Sequence, residues 1–292
     1  MRLSQFTTED GTKNWGIDTS TVANYDHLLA AYGSYVYCQG DSEETIQKRA
    51  RVDGALVWQK DFFTDGSLNQ KILVDNQGNI YTSKNGNVYK YNSDGDLVWT
   101  CDVIAADATD MFLKDCMVDG SKILVIKNGG GYAYVINSSG VVALTITDAD
   151  IDAYYTYKFK FDSTGDIIIK VSVAMAGYIR KYDVDDGSVL WTSGSVASYP
   201  TVDTSDNIWA INADGKLVKI GKNTGNVLVA SADVMTADVQ ELLPVSNGNI
   251  IVVSYNSGTD VLTIDIRDEN AIQLDSETHA DITEYNSAVI TV

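Results

Sequence analysis

The sequence predicts an all-β fold: a seven-bladed β-propeller of four-stranded blades, forming a single domain over residues 1–292. Three observations predict it. The words DGALVWQ (53–59), DGDLVWT (94–100) and DGSVLWT (186–192) are near copies of one another. A glycine followed four residues later by a bulky apolar residue recurs along the chain, at Gly11–Trp15, Gly54–Trp58, Gly95–Trp99, Gly140–Leu144, Gly187–Trp191 and Gly225–Val229. Asn270–Leu274 reads as a seventh copy, since Asn shares glycine's access to the left-handed region. The copies recur about every 40–50 residues, the period of propeller blades. The composition agrees, with 2 Pro, 23 Gly and 17 Tyr in a chain rich in Val, Ile and Thr.

Each unit resolves into four strands, A to D. VDNQGNIY (74–81), FDSTGDII (161–168) and VDTSDNIW (202–209) give the end of strand A, an Asp-bearing turn and strand B. The Asp is read as a turn former that bonds its own backbone. NVYKYN (87–92), GYAYVIN (131–137) and GYIRKYD (177–183) give strand C. The glycine word then supplies a hairpin with positive φ and strand D. LSQFTTEDGTKNW (3–15) reads as strands C and D, and YNSAVITV (285–292) as a turn and strand B. Joined, the two ends are expected to make the seventh blade and close the ring, which protects the sheet edges that an open array would expose.

The repeat resembles that of pyrroloquinoline-quinone-like propellers, and GNIYTSKNGNVYKYNSDGDLVWT (78–100) is the closest copy. The resemblance implies that the strand-D residues Trp15, Trp58, Trp99 and Trp191 dock between neighbouring blades; Trp209, on a B strand, falls outside the pattern. It implies a non-catalytic member. The quinoprotein dehydrogenases carry adjacent cysteines beside the quinone, whereas Cys38, Cys101 and Cys116 are far apart here. No cofactor is therefore expected. The three thiols likewise suggest neither a disulfide framework nor a zinc site.

The chemistry-bearing motifs are sparse. His27 and His279 stand in no catalytic motif. Asp148, Asp150 and Asp152 alternate as at the start of a calcium loop, but no Gly takes the sixth position and Phe159 stands at the twelfth. A net charge of −19 opposes binding to nucleic acid or to anionic membrane surfaces. No apolar run is long enough to insert in a bilayer, and the amino-terminal residues show no secretory h-region. A virion or cytoplasmic location is expected.

Variation concentrates in the D–A connections KDFFTDGSLNQ (60–70), CDVIAADATDMFLKD (101–115) and TDADIDAYYTYK (147–158). Propeller geometry places D–A and B–C loops on one face. Phe62, Phe63, Met111, Phe112, Tyr154 and Tyr155 are the candidate binding residues there, with packing under long loops as their alternative role. The leading functional reading is a non-catalytic scaffold that presents this face to another protein, such as a phage decoration or tail-associated component. A lectin-like glycan-binding module and a polysaccharide-cleaving enzyme are the alternatives.

Overall fold

Strand B carries continuous apolar runs, as in KILVIK, IWAI and IIVVSYN, and such runs mark strands buried on both faces. Strand D mixes apolar and polar residues, as an outer strand facing solvent should. The computed structural model bears this gradient out. It describes residues 2–6, 13–18, 29–39, 45–62, 72–104, 111–127, 131–151, 159–173, 176–198, 200–235, 238–245, 247–256, 258–259 and 261–279.

After β1 (Arg2–Phe6) and β2 (Lys13–Asp18), six four-stranded antiparallel sheets follow in chain order. Blade 1 holds β3 (Leu29–Tyr32), β4 (Tyr35–Gln39), β5 (Thr45–Ala50) and β6 (Leu56–Asp61). Blade 2 holds β7 (Leu73–Val74), β8 (Ile80–Lys84), β9 (Asn87–Tyr91) and β10 (Leu97–Asp102). Blade 3 holds β11 (Met111–Cys116), β12 (Lys122–Lys127), β13 (Tyr132–Asn137) and β14 (Val142–Thr147). Blade 4 holds β15 (Phe159–Phe161), β16 (Ile167–Val173), β17 (Ala176–Tyr182) and β18 (Val189–Ser195). Blade 5 holds β19 (Thr201–Val202), β20 (Ile208–Ile211), β21 (Leu217–Ile220) and β22 (Val227–Ala230). Blade 6 holds β23 (Asp238–Pro244), β24 (Ile250–Asn256), β25 (Val261–Arg267) and β26 (Gln273–His279).

The expectation of seven blades is thereby corrected to six. The strands that flank the Gly11–Trp15 word, β1 and β2, pair antiparallel, but among the described residues their sheet has two strands. A hairpin word reports strands C and D and says nothing of the A and B strands that make a blade, so counting words overcounted blades. Residues 285–292, assigned to the closing strand, lie outside the described residues. The last copy of the word is also shifted by one. The positive φ falls on Ala271 (+61°) rather than Asn270, because Asp268 Oδ1 accepts the amides of Asn270 and Ile272 and fixes the turn around them.

The chain divides into two compact units, one carrying blades 1 and 2 and the other blades 4 to 6, with blade 3 contributing to both. In the first unit Tyr37, Ile46, Ile72, Ile80 and Tyr91 form a buried cluster that Trp58 and Phe62 cover. In the second, one cluster joins blades 4 and 5 through Ile168, Ile179, Trp191 and Ile208, and another joins blades 5 and 6 through Trp209, Leu217, Leu242 and Val252.

Within each unit the repeated tryptophan bonds the next blade. The indole N–H of Trp58 donates to Ser93 O at 3.3 Å, that of Trp99 to Ser138 O at 3.0 Å and that of Trp191 to Lys222 O at 2.8 Å. All three acceptors lie in C–D hairpins, and the indole ring rests against that hairpin's glycine. A Cβ at Gly140 would lie 2.7 Å from Trp99 Cδ2, and one at Gly225 would lie 2.6 Å from Trp191 Cε3. Where Leu144 replaces the tryptophan, Gly187 of blade 4 faces Leu144 and Ile146 instead. Trp15 lies on β2, and its side chain is outside the description.

These glycines meet two demands at once: a left-handed backbone, with φ of +78° at Gly140, and room for a ring. Gly140→Ala is therefore expected to destabilise the protein by about 2 kcal/mol, from the positive φ together with displacement of Trp99. Denaturant unfolding of the variant checks this.

Strand D carries a further device. Leu97 pairs with Tyr91 and Trp99 with Lys90, so Val98 is an extra, bulged residue. Val57, Leu190, Leu228 and Leu274 hold the same place in blades 1, 4, 5 and 6. The bulge breaks the alternation of the strand, so in blades 1, 2 and 4 two consecutive apolar residues face solvent and the tryptophan still turns inward. Bulges at an edge also discourage unplanned pairing.

Candidate interaction surface

The most regular polar residues are consumed by the architecture. In the A–B turn of blade 2, Asp75 Oδ1 accepts the amides of Gln77 and Asn79, and Oδ2 accepts the Tyr81 hydroxyl at 2.8 Å. Asp203 repeats this in blade 5, with Trp209 Nε1 as the donor at 3.1 Å. That explains the tryptophan that stood outside the repeat: it takes the tyrosine's place as anchor of the turn. In blade 4, Ile168 occupies that position and cannot donate. Lys181, directly across the sheet from Ile168, ion-pairs with Asp162 at 2.7 Å and with Asp166 at 3.0 Å. Burial lowers the pKa of Lys181, but its two carboxylates outweigh that and leave it above the ordinary lysine value.

Lysines also recur on strand C opposite the B-strand ring. Lys48 pairs with Tyr37, Lys90 with Tyr81 and Lys219 with Trp209, each ammonium lying 5.3–5.7 Å from the ring centroid. The words QKR, YKY and VKI held this signal, but it acquires meaning only with the strand register. Asp206 replaces the left-handed glycine of the A–B turn, at φ +65°, and its carboxylate reaches the neighbouring turn, where Ser163 donates through its amide at 2.8 Å and its hydroxyl at 2.6 Å.

The connection after blade 3 holds the carboxylates read as a calcium-loop start. Asp148 accepts Arg180 Nη1 at 2.7 Å and the Tyr182 hydroxyl at 2.6 Å, while Asp150 pairs with Arg180 Nη2 at 2.8 Å. The guanidinium thus supplies the positive charge between Asp148 and Asp150. Asp152 lies outside the described residues. Among the described residues no group of three or more His, Cys, Asp or Glu is placed to hold a metal ion.

Burial raises the Asp148 pKa, but hydrogen bonds from Tyr182, the Asp150 amide and Arg180 outweigh it, leaving the carboxyl below its ordinary value. Burial likewise raises Asp206, and the two Ser163 bonds with Lys222 bring it below. A carboxylate depressed in the folded state contributes stability that is present above its unfolded pKa and is lost as the pH falls through the folded one. The unit carrying blades 4 to 6 is therefore expected to lose stability below about pH 4. Urea unfolding at successive pH values checks this, and Asp206→Asn should flatten the dependence.

Of the six aromatic and methionine candidates, Phe62 alone has a described side chain. Phe62 is a packing residue: its ring meets Tyr91 edge-on at 4.1 Å, and its carbonyl accepts the Tyr91 hydroxyl. Met111 and Phe112 begin strand β11 rather than sitting in a loop, and their side chains are outside the description. Phe63, Tyr154 and Tyr155 lie outside the described residues. Exposed apolar residues among those described include Ala149 in the acidic connection, Val52, Val118 and Ile272 in turns and, on the strand-D edges, Leu56 and Val57, Leu97 and Val98, Val189 and Leu190, and Val227 and Leu228. Among the described residues no helix is long and apolar enough to cross a membrane.

Comparison with known proteins agrees with this architecture. The family model described as outer membrane protein assembly factor BamB matches residues 2–157 and 175–280. No curated protein sequence matches the chain. Among solved structures, BamB from Moraxella catarrhalis superposes with a TM-score of 0.60 at 12% identity, covering 92% of this chain and 81% of that one. A streptogramin B lyase gives 0.63 at 12% identity, with 88% and 83% covered. The RRP9 WD40 repeats give 0.62 at 10% identity, with 85% and 79% covered. Likeness at these identities is likeness of fold.

Proposed function

The chain belongs to the family described as outer membrane protein assembly factor BamB, and from that membership we propose that it is a non-catalytic scaffold that binds another protein. One observation carries the reading furthest. The repeating Asp, Lys and Trp residues described above are spent on turns and on joints between blades. Recognition then falls to the connections that do not repeat, and rigid scaffolds commonly bind through such loops. We place the contact on the D–A connections, with the exposed Ala149 between Asp148 and Asp150 as the described representative.

A photo-reactive residue at Ala149 should capture a partner from the source lysate, whereas one at Asp94, at the tip of a C–D hairpin, should not. Capture from Asp94 alone would refute the loop assignment. Recovery of only the monomer, by crosslinking and by native mass spectrometry, would refute the scaffold.

A further inference from the structure

One place on strand C recurs from blade to blade. Tyr91, Tyr182, Ile220 and Arg267 each close their strand C. Each stands across the sheet from the isoleucine that opens strand B: Ile80, Ile167, Ile208 and Ile250 respectively. Tyr91, Tyr182 and Arg267 are buried, and a buried polar tip needs a partner. In all three blades a partner lies in the connection that leaves the preceding blade. The Tyr91 hydroxyl donates to Phe62 O at 3.3 Å, the Tyr182 hydroxyl to Asp148 Oδ2 at 2.6 Å, and the Arg267 guanidinium to both carboxylate oxygens of Asp233.

The grip is fullest on the connection after blade 3. Arg180, two residues before Tyr182 and so on the same face of β17, forks between Asp148 at 2.7 Å and Asp150 at 2.8 Å. The Ser172 amide of β16 donates to Asp150 O at 3.0 Å. Blade 3 holds the other side, where the Asp148 amide donates to Gly131 O at 2.9 Å. A Cβ at Gly131 would lie 2.5 Å from Asp148 O, so the close approach depends on glycine. Within the connection the Asp150 amide donates to Asp148 Oδ1 and the Ile151 amide to Asp148 O. Ile151 is buried, and Ala149 stands exposed between the two gripped carboxylates. Burial, with the Asp148 bond, raises the Tyr182 pKa, so its hydroxyl stays a donor.

We propose that Tyr182 and Arg180 are positioning residues of the interaction surface, holding the connection that carries Ala149 in its binding shape. Tyr91 and Arg267 do the same for the connections that carry Phe62 and Asp233. The inference rests on the contact placed above at the D–A connections and adds what orders it. Tyr182 is buried and acts only through the connection it holds. A loop fixed in its bound shape before the partner arrives loses less entropy on binding, so a released connection binds more weakly. Each connection is thus set by strand C of the blade that follows it.

Two measurements on the full chain test it. Tyr182→Phe keeps the ring and loses only the hydroxyl, so hydrogen exchange at the Asp150, Ile151 and Ser172 amides should quicken about fivefold, the worth of one hydrogen bond. In Arg180→Met, which loses charged bonds, it should quicken at least about tenfold. Exchange at Val218–Ile220 in blade 5 should not change in either variant. Photo-capture from Ala149 in the source lysate should fall at least about threefold in both variants, as the ordering cost returns. Tyr81→Phe should leave capture unchanged, although it removes an equally buried hydroxyl, because that hydroxyl serves the Asp75 turn. Unchanged exchange in both variants, undiminished capture from a released connection, or an equal fall in Tyr81→Phe would overturn the proposal. A wild type that captures nothing from Ala149 would refute the contact itself, and the proposal with it.

Discussion

Trp191→Ala is expected to destabilise the unit carrying blades 4 to 6 by about 4 kcal/mol, the usual range for deleting a large buried aromatic. Trp191 is the most buried of the described strand-D tryptophans, at 8% exposure, and it sits in the cluster that joins blades 4 and 5. Its loss would open a cavity against Gly225, whose backbone is too constrained to fill it, and would leave Lys222 O without its indole donor. Trp191→Phe separates the two effects. It keeps most of the apolar volume and sacrifices the hydrogen bond, so it should cost less, with about 1 kcal/mol attributable to the unmet carbonyl. Chemical denaturation of the three proteins measures both differences. A Trp191→Ala variant within about 0.5 kcal/mol of wild type, inside the range of ordinary surface substitutions, would mean that the joint contributes little.

Asp233→Ala is expected to cost about 3 kcal/mol by a different mechanism. Arg267 is 1% exposed, and its guanidinium forks onto Asp233, Nη1 to Oδ1 at 2.9 Å and Nη2 to Oδ2 at 2.8 Å. Nη1 also donates to Ala271 O, Asp265 lies 3.5 Å away, and Nε has no partner. Removing Asp233 strands a buried cation whose remaining partners are weak, and breaking one side of such a pair is costlier than replacing both. The double variant Asp233→Ala with Arg267→Met should therefore recover much of the loss. The Arg267 bonds hold Asp233 below its ordinary pKa despite some burial, so its contribution should fade in acid together with those of Asp148 and Asp206. Unfolding of the single and double variants at pH 7 measures the rescue, and repeating it at pH 3 measures the fading.

What could be read from the sequence follows from which interactions are local. The glycine word was legible because a left-handed hairpin residue and a bulky apolar partner sit at a fixed offset along the chain. The Asp turns were legible for the same reason, since Asp75 and Asp203 bond amides two and four residues ahead. The lysine row was invisible because Lys181 reaches Asp162 only once β17 lies against β16 in the right register. Phe62 read as a loop aromatic because nothing local shows that Tyr91 waits 4.1 Å away. Arg180 likewise comes from a different strand to meet Asp148 and Asp150, so the acidic run alone could pass for a metal loop. The blade count failed at β1 and β2, where the local word is present and, among the described residues, no further strands join them to make a blade.

The tryptophan joint has a consequence for how such a chain can grow. The same short word supplies the protruding ring of one blade and the glycine seat that receives the ring of the blade before it. A gene segment spanning one period and duplicated in tandem therefore arrives with both halves of its own coupling. The new copy can be seated by the old one and can seat its successor before any compensating mutation appears.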